Sequence, residues 1–235
     1  MWWFAAIHTN LAMLYRRAAA QAAVTDRVLD AGCGTGGFLA ALARRIPERE
    51  TIGLDADETA CRWAAEKSAR PVCAGSVSTL PFADAAFHAI FSIDVLCHRD
   101  VDEARALGQF HRCLSTGGFL ILNLPAYHWL MSRHDAAVYN VRRYTRRDVL
   151  RLLREAGFHP IFASYWNMIL FPVMVVARKL LPASSGSDVK LQPRLIEAVC
   201  RAATSLERGL MRAGICLPFG GSVLAVGMKS ESVNV

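Results

Sequence analysis

A glycine-rich turn near residue 32 is the segment of the chain whose residue types and spacing could most readily do chemistry. Within residues 28–38, glycines stand at positions 32, 34 and 36, and Asp30 precedes the first of them by two residues. Glycines at this spacing let the backbone turn sharply after a strand and approach a ligand without interference from Cβ atoms. The helix that follows points its free N–H groups at the same place. The run therefore predicts a cofactor site of the nucleotide-binding kind.

Two aspartates distinguish between the cofactors that such a turn can bind. Gly32, Gly34 and Gly37 also fit the G-x-G-x-x-G fingerprint of dinucleotide enzymes, and Asp55 suits a ribose with either cofactor. Asp30 would repel a pyrophosphate, whereas it suits the ammonium and sulfonium groups of S-adenosylmethionine. The pattern therefore favours methyl transfer from S-adenosylmethionine. A nicotinamide-dependent oxidoreductase and a non-catalytic S-adenosylmethionine-binding subunit are the alternatives.

A second group of reactive residue types follows the fifth predicted strand. His134 beside Asp135 is the candidate general base, because imidazole titrates near neutral pH and a neighbouring carboxylate can tune it. A histidine that only closes the loop by hydrogen bonds is the alternative. Arg142 and Arg143 could hold an acidic group of an acceptor, or they could form ion pairs within the protein. Three tyrosines could line the acceptor pocket or simply pack, namely Tyr127, Tyr139 and Tyr144.

These residues need a scaffold that brings the ends of several strands together. Short apolar segments alternate with helical patterns, which is typical of a parallel sheet covered on both faces. We predict an α/β fold, a doubly wound and mostly parallel seven-stranded sheet, with a helical insertion between the last two strands. The single domain divides into an N-terminal helical cap (1–27), a cofactor-binding core (28–165), the insertion (166–221) and a final strand with a tail (222–235).

The individual elements follow from periodicity and from Gly and Pro breaks. The predicted strands are 28–30, 51–54, 71–74, 87–93, 119–124, 158–165 and 222–228. The predicted helices are 11–23, 38–46, 58–68, 102–114, 145–156, an apolar helix that runs to about residue 181, and 193–212. Residues 115–118 are predicted to form a turn, and residues 184–188 a polar linker.

Composition narrows the range of partners. The formal charge of +7 admits acidic partners, but basic residues do not alternate with aromatic ones along one groove. We therefore expect a small-molecule acceptor and no nucleic-acid partner. Seven cysteines without a C-x-x-C pair predict free thiols in a reducing compartment and no metal site.

Hydropathy favours a cytoplasmic location. The start of the chain lacks the basic region and cleavage site of a secretory signal. Residues 161–177 carry no charge and are just long enough to approach a membrane span. Asn167 and Pro172 interrupt this stretch. Packing in the core or at an interface is therefore favoured over a spanning helix.

Three motifs carry a resemblance to a known family. In order they read D-A-G-C-G-T-G, G-L-D-A-D and L-P-F-A-D-A-A-F-H-A-I-F-S-I-D-V-L-C-H. They resemble the class I S-adenosylmethionine-dependent methyltransferases, in particular the type 11 group of small-molecule and lipid-related enzymes, over about residues 28–158. The resemblance implies that Asp30 and the glycines hold the methionine part of the cofactor, that Asp55 holds the ribose, and that Asp94 lies beside the methyl group. The cofactor-binding residues predicted on this basis are Asp30, Gly32, Cys33, Gly34, Gly36, Asp55, Ala56, Ser76, Val77, Ser92 and Asp94.

The chain departs from the family pattern at three positions. Ser76 stands where an aspartate often receives the adenine amino group, and His88 and Cys97 replace the usual acids of their motifs. Neither of these last two acids is needed for methyl transfer, so the class is retained. The acceptor side, P-A-Y … H-D … R-R-Y-T, is similar to one bacterial subgroup of the family. The predicted catalytic residues are Asp94, Tyr127 and His134.

The insertion indicates the kind of acceptor. Residues 165–172 and 217–221 bracket it, and the first of these stretches is too apolar for a free surface. It could roof an apolar pocket in which Trp166 contacts the acceptor, or rest on a membrane beside Arg178 and Lys179. Hairpin packing and a homodimer interface are the alternatives. We predict a hydrophobic or lipid-linked acceptor, methylated at oxygen rather than at carbon or nitrogen, and peripheral contact with the inner membrane face.

Overall fold

A computed structural model describes residues 2–19, 27–179 and 194–230. The strands are β1 (Arg27–Ala31), β2 (Glu50–Asp55), β3 (Val72–Ala74), β4 (Phe87–Ile93), β5 (Leu114–Pro125), β6 (Phe158–Trp166) and β7 (Ser222–Lys229). The helices are α1 (Trp2–Ala19), α2 (Gly37–Arg45), α3 (Glu58–Ser68), α4 (Glu103–Cys113), α5 (Arg133–Ala137), α6 (Arg146–Glu155), α7 (Phe171–Lys179) and α8 (Arg194–Arg212), with a 3-10 turn at His128–Leu130.

The seven strands form one sheet in the order β3-β2-β1-β4-β5-β7-β6. The pairs from β3 to β5 are parallel, and β7 runs antiparallel between β5 and β6. The predicted α/β class, the seven strands and the mostly parallel sheet are confirmed. Strands such as β4 are buried almost throughout, because helices cover both faces of the sheet.

The registers place the insertion at the edge where the site residues lie. Ile93 pairs with Asn123, and Ser222 pairs with both Pro125 and Trp166. The connection that leaves β6 and the one that enters β7 therefore meet the sheet at the carboxyl ends of β4 and β5. In open α/β sheets this edge is where ligands bind.

Two helical predictions are corrected at their boundaries. The N-terminal helix begins at Trp2 rather than near residue 11, because the aromatic start of the chain supplies apolar contacts to the core; Trp3 stacks on Trp166 with ring centroids 4.5 Å apart. Its predicted end, residues 20–23, lies outside the described residues. The apolar stretch 161–177 divides between β6, a short connection and the nine-residue α7.

Residues 115–118 do not form the predicted separate turn. They belong to β5, where the register with β4 shifts from the pair Phe87–Leu114 to the pair Ala89–Phe119. The extra residues form a bulge, and Gly117 within it has φ +76°. A Cβ atom on Gly118 would lie 2.8 Å from the carbonyl oxygens of His88 and Ser115. The glycines thus allow the strand to bend at the bulge, and the short sequence pattern does not distinguish such a bend from a turn.

Within the insertion, α8 packs against α1. In α8, Cys200, Thr204, Glu207 and Met211 form the buried stripe, and Arg208 Nε donates to Asn10 Oδ1 of α1 at 2.8 Å. The predicted linker 184–188 lies outside the described residues. None of the helices within 2–19, 27–179 and 194–230 is both long and apolar enough to cross a membrane. The seven cysteines are all free thiols.

Candidate cofactor and acceptor site

Asp30 lies near the carboxyl end of β1, beneath the glycine-rich turn. It is 1% exposed, and neither carboxylate oxygen accepts a hydrogen bond of normal geometry from the described residues. Burial first, and then the nearby charge of Asp55, raise the pKa of Asp30 to about 7; the backbone amide of Leu39 opposes this shift without cancelling it. A buried carboxylate without such partners is costly to the protein alone, so its presence indicates a polar ligand that compensates it.

The turn itself is built from glycines with positive φ, at +83° for Gly32, +50° for Gly34 and +76° for Gly36. Nothing lies within 4 Å of the place where a Cβ atom of Gly34 would stand, so this part of the turn faces open space. A Cβ atom on Gly36 would instead lie 2.6 Å from Cα of Ala64 in α3. Gly34 therefore leaves room for a ligand, whereas Gly36 serves the close packing of α2 against α3.

Asp55, at the end of β2, ties the turn to the second strand. Its Oδ2 atom accepts a hydrogen bond from the backbone N–H of Gly34 at 2.7 Å, and Oδ1 accepts one from Asp57 N at 3.0 Å. Each carboxylate oxygen keeps acceptor capacity beyond one such bond. Asp55 can therefore hold the turn in place and still accept hydrogen bonds from the hydroxyls of a ribose.

The remaining predicted cofactor residues differ in what they present to a ligand. Ala56 and Ser76 are exposed, and Ser76 Oγ accepts a hydrogen bond from Ser78 N at 3.2 Å. Val77 is buried in the core. Cys33 turns its thiol toward Gly53 in the interior, so only its backbone can face a cofactor. Ser92 is fully buried, and its hydroxyl has no partner among the residues with described positions.

Asp94 follows β4 and adopts φ +55°, a conformation that is uncommon for a residue with a side chain. Its Oδ1 atom accepts a hydrogen bond from Asn123 Nδ2 at 2.9 Å. Burial raises the pKa of Asp94 to about 7, while Asn123 and the charge of Arg143 oppose the shift and that of Asp135 adds to it. A carboxyl group that titrates near neutral pH can accept a proton from an acceptor. Its place at the carboxyl end of β4 is where the family resemblance expects it.

The predicted acceptor-binding arginines are used inside the protein. Arg143 Nη2 lies 2.7 Å from Asp135 Oδ1, with both side chains almost fully buried, and Nη1 donates to Ala126 O at 2.9 Å. Arg142 donates to the carbonyls of Leu96 and His98, and its Nε lies 3.4 Å from Glu103 Oε2. The prediction that these arginines hold an acidic acceptor is corrected in favour of ion pairs. All three nitrogens of the Arg143 guanidinium have protein partners, and Arg142 is held by Glu103 and by two carbonyls.

Tyr144 and Tyr139 also differ from the prediction. The Tyr144 side chain is 4% exposed, and its hydroxyl lies 2.6 Å from Glu103 Oε1 and 2.9 Å from Leu96 O. It locks the loop rather than lining a pocket. Tyr139 is half exposed, and its ring packs under the guanidinium of Arg99 at 4.8 Å. A contact between Tyr139 and the acceptor stays a prediction.

His134 lies in α5, in the loop that Arg143 holds, but its side chain is outside the described part of the structure. Its role as a base therefore stays a prediction. The suggested tuning by Asp135 is corrected, because Asp135 pairs with Arg143 and accepts two hydrogen bonds from Ser132. These contacts hold the pKa of Asp135 low even though burial acts to raise it.

Tyr127 lies in an aromatic cluster that sequence reasoning found only in part. We define the aromatic cluster as Tyr127, Trp129, Tyr165, Phe171 and Phe219. Tyr127 stacks on Tyr165 and Trp129 with centroid distances of 5.2 and 5.7 Å, and Phe171 lies 5.7 Å from both Tyr127 and Phe219. Burial and a hydrogen bond with Tyr165 raise the pKa of Tyr127, so its hydroxyl stays protonated at neutral pH and does not serve as a base.

Trp129 is not among the site residues predicted from the sequence, although it is 51% exposed at the border of the cluster. A tryptophan four residues beyond the end of β5 was the available signal. Trp166, by contrast, is fully buried, and its Nε1–H donates to Asn123 Oδ1 at 2.8 Å. The prediction that Trp166 contacts the acceptor does not fit this geometry, since the indole exposes no surface.

The chain matches known proteins of one class. Residues 29–122 match a family model described as a methyltransferase domain. An O-methyltransferase of Penicillium expansum is 30% identical over 149 residues, which cover 58% of this chain and 53% of the relative. The 24-methylenesterol C-methyltransferase 2 of Oryza sativa subsp. japonica is 27% identical over 164 residues, covering 59% of this chain and 42% of the relative. The chain thus spans about half the length of the curated relatives it matches.

A solved structure shows the same fold. Geranyl diphosphate C-methyltransferase from Streptomyces coelicolor A3(2), in complex with Mg²⁺, geranyl diphosphate and S-adenosyl-L-homocysteine, aligns with a TM-score of 0.63 at 16% identity. The alignment covers 93% of this chain and 78% of that one. Fold, turn and family match together indicate one class. Residues 29–122 form a methyltransferase domain of the class I S-adenosylmethionine-dependent kind, and the cofactor of this domain is S-adenosylmethionine.

The residues of this chain fit that cofactor. The uncompensated carboxylate of Asp30 suits a cationic amino-acid end, Gly34 leaves open space at the turn, and Asp55 retains capacity for two hydroxyls. A pyrophosphate would meet the buried carboxylate of Asp30 instead, which removes the nicotinamide alternative on physical grounds as well.

We expect Asp55→Ala to weaken cofactor binding by about 1–3 kcal/mol, because charge-assisted hydrogen bonds to the ribose are lost and Gly34 N loses its partner. Titration calorimetry measures the change. The matched control is Asp57→Ala, which removes the N-cap of α3, where Asp57 accepts from Thr59 N and Ala60 N. It should cost about 0.5–2 kcal/mol of stability but leave the affinity unchanged. Equal affinity in wild type and Asp55→Ala would remove Asp55 from the site.

Proposed function

We propose that this chain transfers the methyl group of S-adenosylmethionine to a small hydrophobic acceptor, with oxygen favoured over carbon or nitrogen as the methylated atom. The observation that carries the proposal is the aromatic cluster. It joins the loop after β5, the end of β6 and both ends of the insertion, at the edge of the sheet that also carries Asp94. Its partly exposed rings offer stacking surface to an apolar or aromatic acceptor.

The relatives agree with this proposal but leave the acceptor open. The two curated relatives are named for O- and C-methyl transfer, and the solved structure contains geranyl diphosphate, an apolar chain on a charged group. In this chain the arginines nearest the loop already have carboxylate or carbonyl partners. The described residues therefore favour an acceptor whose recognised part is apolar.

When bound, S-adenosylmethionine supplies an electrophilic methyl group with a good leaving group, so the protein contributes mainly alignment and exclusion of water. Asp30 and Asp55 hold the two ends of the cofactor, and the aromatic cluster orients the acceptor. Asp94 takes the acceptor proton if the acceptor is a hydroxyl or phenol, since its raised pKa lies near neutral pH. His134 is the second candidate for this proton.

We further infer that the insertion touches the inner face of a membrane. Leu195, Val199 and Leu206 are exposed by 76, 56 and 61% along one side of α8, and Arg194, Arg201 and Arg212 are exposed beside them. Apolar residues next to arginines fit an anionic lipid surface. A homodimer contact at the same stripe is the competing explanation, and the oligomeric state in solution distinguishes the two.

A screen of acceptors that detects S-adenosylhomocysteine release tests the function. We expect turnover with phenolic or isoprenoid hydroxyl compounds and none with polar amines or transfer RNA. The product of the best acceptor, analysed by mass spectrometry and NMR, gives the methylated atom. Tight cofactor binding without turnover on any acceptor would support the non-catalytic subunit, and turnover only on transfer RNA would contradict a hydrophobic acceptor.

Within that screen, we expect Trp129→Ala and Phe171→Ala each to raise the acceptor KM about 5- to 30-fold, because each removes apolar contact of roughly 1–2 kcal/mol. Cofactor affinity should not change. The matched control, Leu195→Ser/Leu206→Ser, alters the outer stripe of α8 and should leave KM for a water-soluble acceptor unchanged. It should reduce co-sedimentation with anionic vesicles. A higher KM in the α8 variant alone would move the acceptor site away from the aromatic cluster.

A further inference from the structure

A chain of two hydrogen bonds connects a fully buried tryptophan to Asp94. Trp166 Nε1–H donates to Asn123 Oδ1 at 2.8 Å, and Asn123 Nδ2 donates to Asp94 Oδ1 at 2.9 Å. Trp166 and Asn123 are both 0% exposed. The three residues come from β6, β5 and the loop after β4, and no sequence motif connects them.

The geometry indicates that the indole of Trp166 sets the orientation of the Asn123 side chain. An amide side chain can rotate by 180° and exchange its oxygen and nitrogen, and its partners decide the orientation. An indole N–H can only donate, so it binds the oxygen of Asn123 and thereby turns the NH₂ group toward Asp94. In the opposite orientation, the amide oxygen would face the carboxylate and the amide nitrogen would face the indole N–H. Both contacts would be repulsive.

Asn123 also holds the backbone of Asp94. The N–H of Asp94 donates to Asn123 O at 2.9 Å, and Asp94 keeps φ +55°. A residue other than glycine keeps this left-handed backbone conformation where several contacts fix it, which is a common feature of functional positions. Asp94 Oδ2 has no hydrogen bond within the described residues, and Asp94 is not fully buried. One oxygen is therefore fixed and the other is available.

Trp166 is itself fixed from two sides. Trp3 of α1 stacks on it with an interplanar angle of 25°, and the connection that follows it donates from Asn167 N and Ile169 N to the buried carboxylate of Glu207 in α8. The N-terminal helix and the insertion therefore both hold the donor in place, although neither contains a residue of the cofactor turn.

We propose that Trp166 and Asn123 are positioning residues for Asp94: the indole fixes the amide, and the amide holds one carboxylate oxygen so that the other meets the reacting molecules. The part that Asp94 plays in methyl transfer rests on the proposed function. The positioning itself is a property of the ligand-free protein. Among the residues whose side chains are described, the other charged or titratable groups near Asp94 are Arg143 and Asp135 from the loop after β5, and Cys97, whose thiol donates to Asp94 O at 3.1 Å.

The test measures the titration of the Asp94 carboxyl by ¹³C NMR in the ligand-free protein, with the signal assigned through Asp94→Asn. Trp166→Phe keeps an aromatic ring but removes the N–H. We expect the Asp94 midpoint to rise by about one pH unit, because the bond that favours its charged form is no longer fixed. Asn123→Ala removes the donor directly, leaves the surrounding strand pairing in place, and should raise the midpoint at least as much.

The matched control is Trp3→Leu, which removes the stacking partner of Trp166 but leaves its N–H. It should not move the midpoint. An unchanged midpoint in Trp166→Phe and Asn123→Ala overturns the proposal, and so does an equal rise in Trp3→Leu, which would make packing the cause. With an active acceptor, Trp166→Phe should lower the rate of methyl transfer mainly at pH values below the titration midpoint of Asp94. The KM values for the acceptor and for the cofactor should stay the same. If no acceptor is found, the NMR titration still decides the positioning role separately from the proposed function.

Discussion

Asp30→Asn should weaken S-adenosylmethionine binding at least tenfold and at the same time stabilise the ligand-free protein. The carboxylate of Asp30 lies buried without hydrogen-bond partners of normal geometry among the described residues, beside the charge of Asp55. Its ionised form is compensated only when a cationic ligand binds. A neutral amide removes that cost from the free protein and removes the attraction for the ligand. Calorimetry at pH 8 gives the affinity, and chemical denaturation gives the free energy of unfolding.

The pH dependence of the free energy of unfolding follows from the direction in which the pKa of Asp30 is shifted. The folded-state pKa of Asp30 is raised from 3.8 to about 7, so the folded protein holds this proton more tightly than the unfolded chain. The free energy of unfolding should therefore fall as pH rises from about 4 to 7, with this contribution lost above the folded pKa. Asp30→Asn should remove the part of this decline that Asp30 contributes and leave the part that comes from Asp94, whose pKa is also raised to about 7. Asp100→Asn, at an exposed position, should keep the whole decline. An unchanged cofactor affinity in Asp30→Asn would contradict the assignment.

Arg143→Met should lower the free energy of unfolding by about 3–5 kcal/mol, because it leaves Asp135 as a buried carboxylate without its cation. Arg142→Met is the matched control. Arg142 is partly exposed and its pair with Glu103 is longer, at 3.4 Å, so we expect a smaller loss of about 1–2 kcal/mol. The double variant Asp135→Asn/Arg143→Met should regain part of the loss, since no charge remains buried. Equal losses in the two arginine variants would show that burial of the pair is not what matters.

Acid should also lower the free energy of unfolding of the wild-type protein, because it removes the charge of Asp135 from the same ion pair. Asp135 has a lowered pKa, so its contribution is present above the unfolded pKa and is lost as pH falls through the folded value, below about 4. Denaturation curves between pH 3 and 6 measure this loss. Asp135→Asn should remove the share that Asp135 contributes and leave that of Asp148, whose pKa is also lowered. Because the pair closes the loop of residues 126–143, the same variants should also reduce methyl transfer.

Short sequence motifs were sufficient to predict the cofactor-binding part of this protein. The glycine spacing, Asp30 before it and Asp55 after the second strand each occupy the place that the sequence indicated, because strand ends and turns depend on residues a few positions apart. The insertion was predictable for the same reason, since apolar periodicity changed from strand to helix and back. The bulge at residues 115–118 was not, because glycines mark both turns and kinks.

The acceptor half depended on pairings across the fold. Several arginines and carboxylates lie between residues 94 and 148, and the sequence cannot rank which of them meet; the fold joined Arg143 to Asp135 and Arg142 to Glu103. Trp166 was predicted to face an acceptor. In the folded protein, however, β7 runs antiparallel between β5 and β6, and the indole of Trp166 binds Asn123, which lies 43 positions earlier in the sequence. The sequence by itself thus determined the class, the cofactor and the order of elements. Only the tertiary structure decided which polar side chains face the reaction and which hold the loops, because burial and donor geometry exist only after the sheet has assembled.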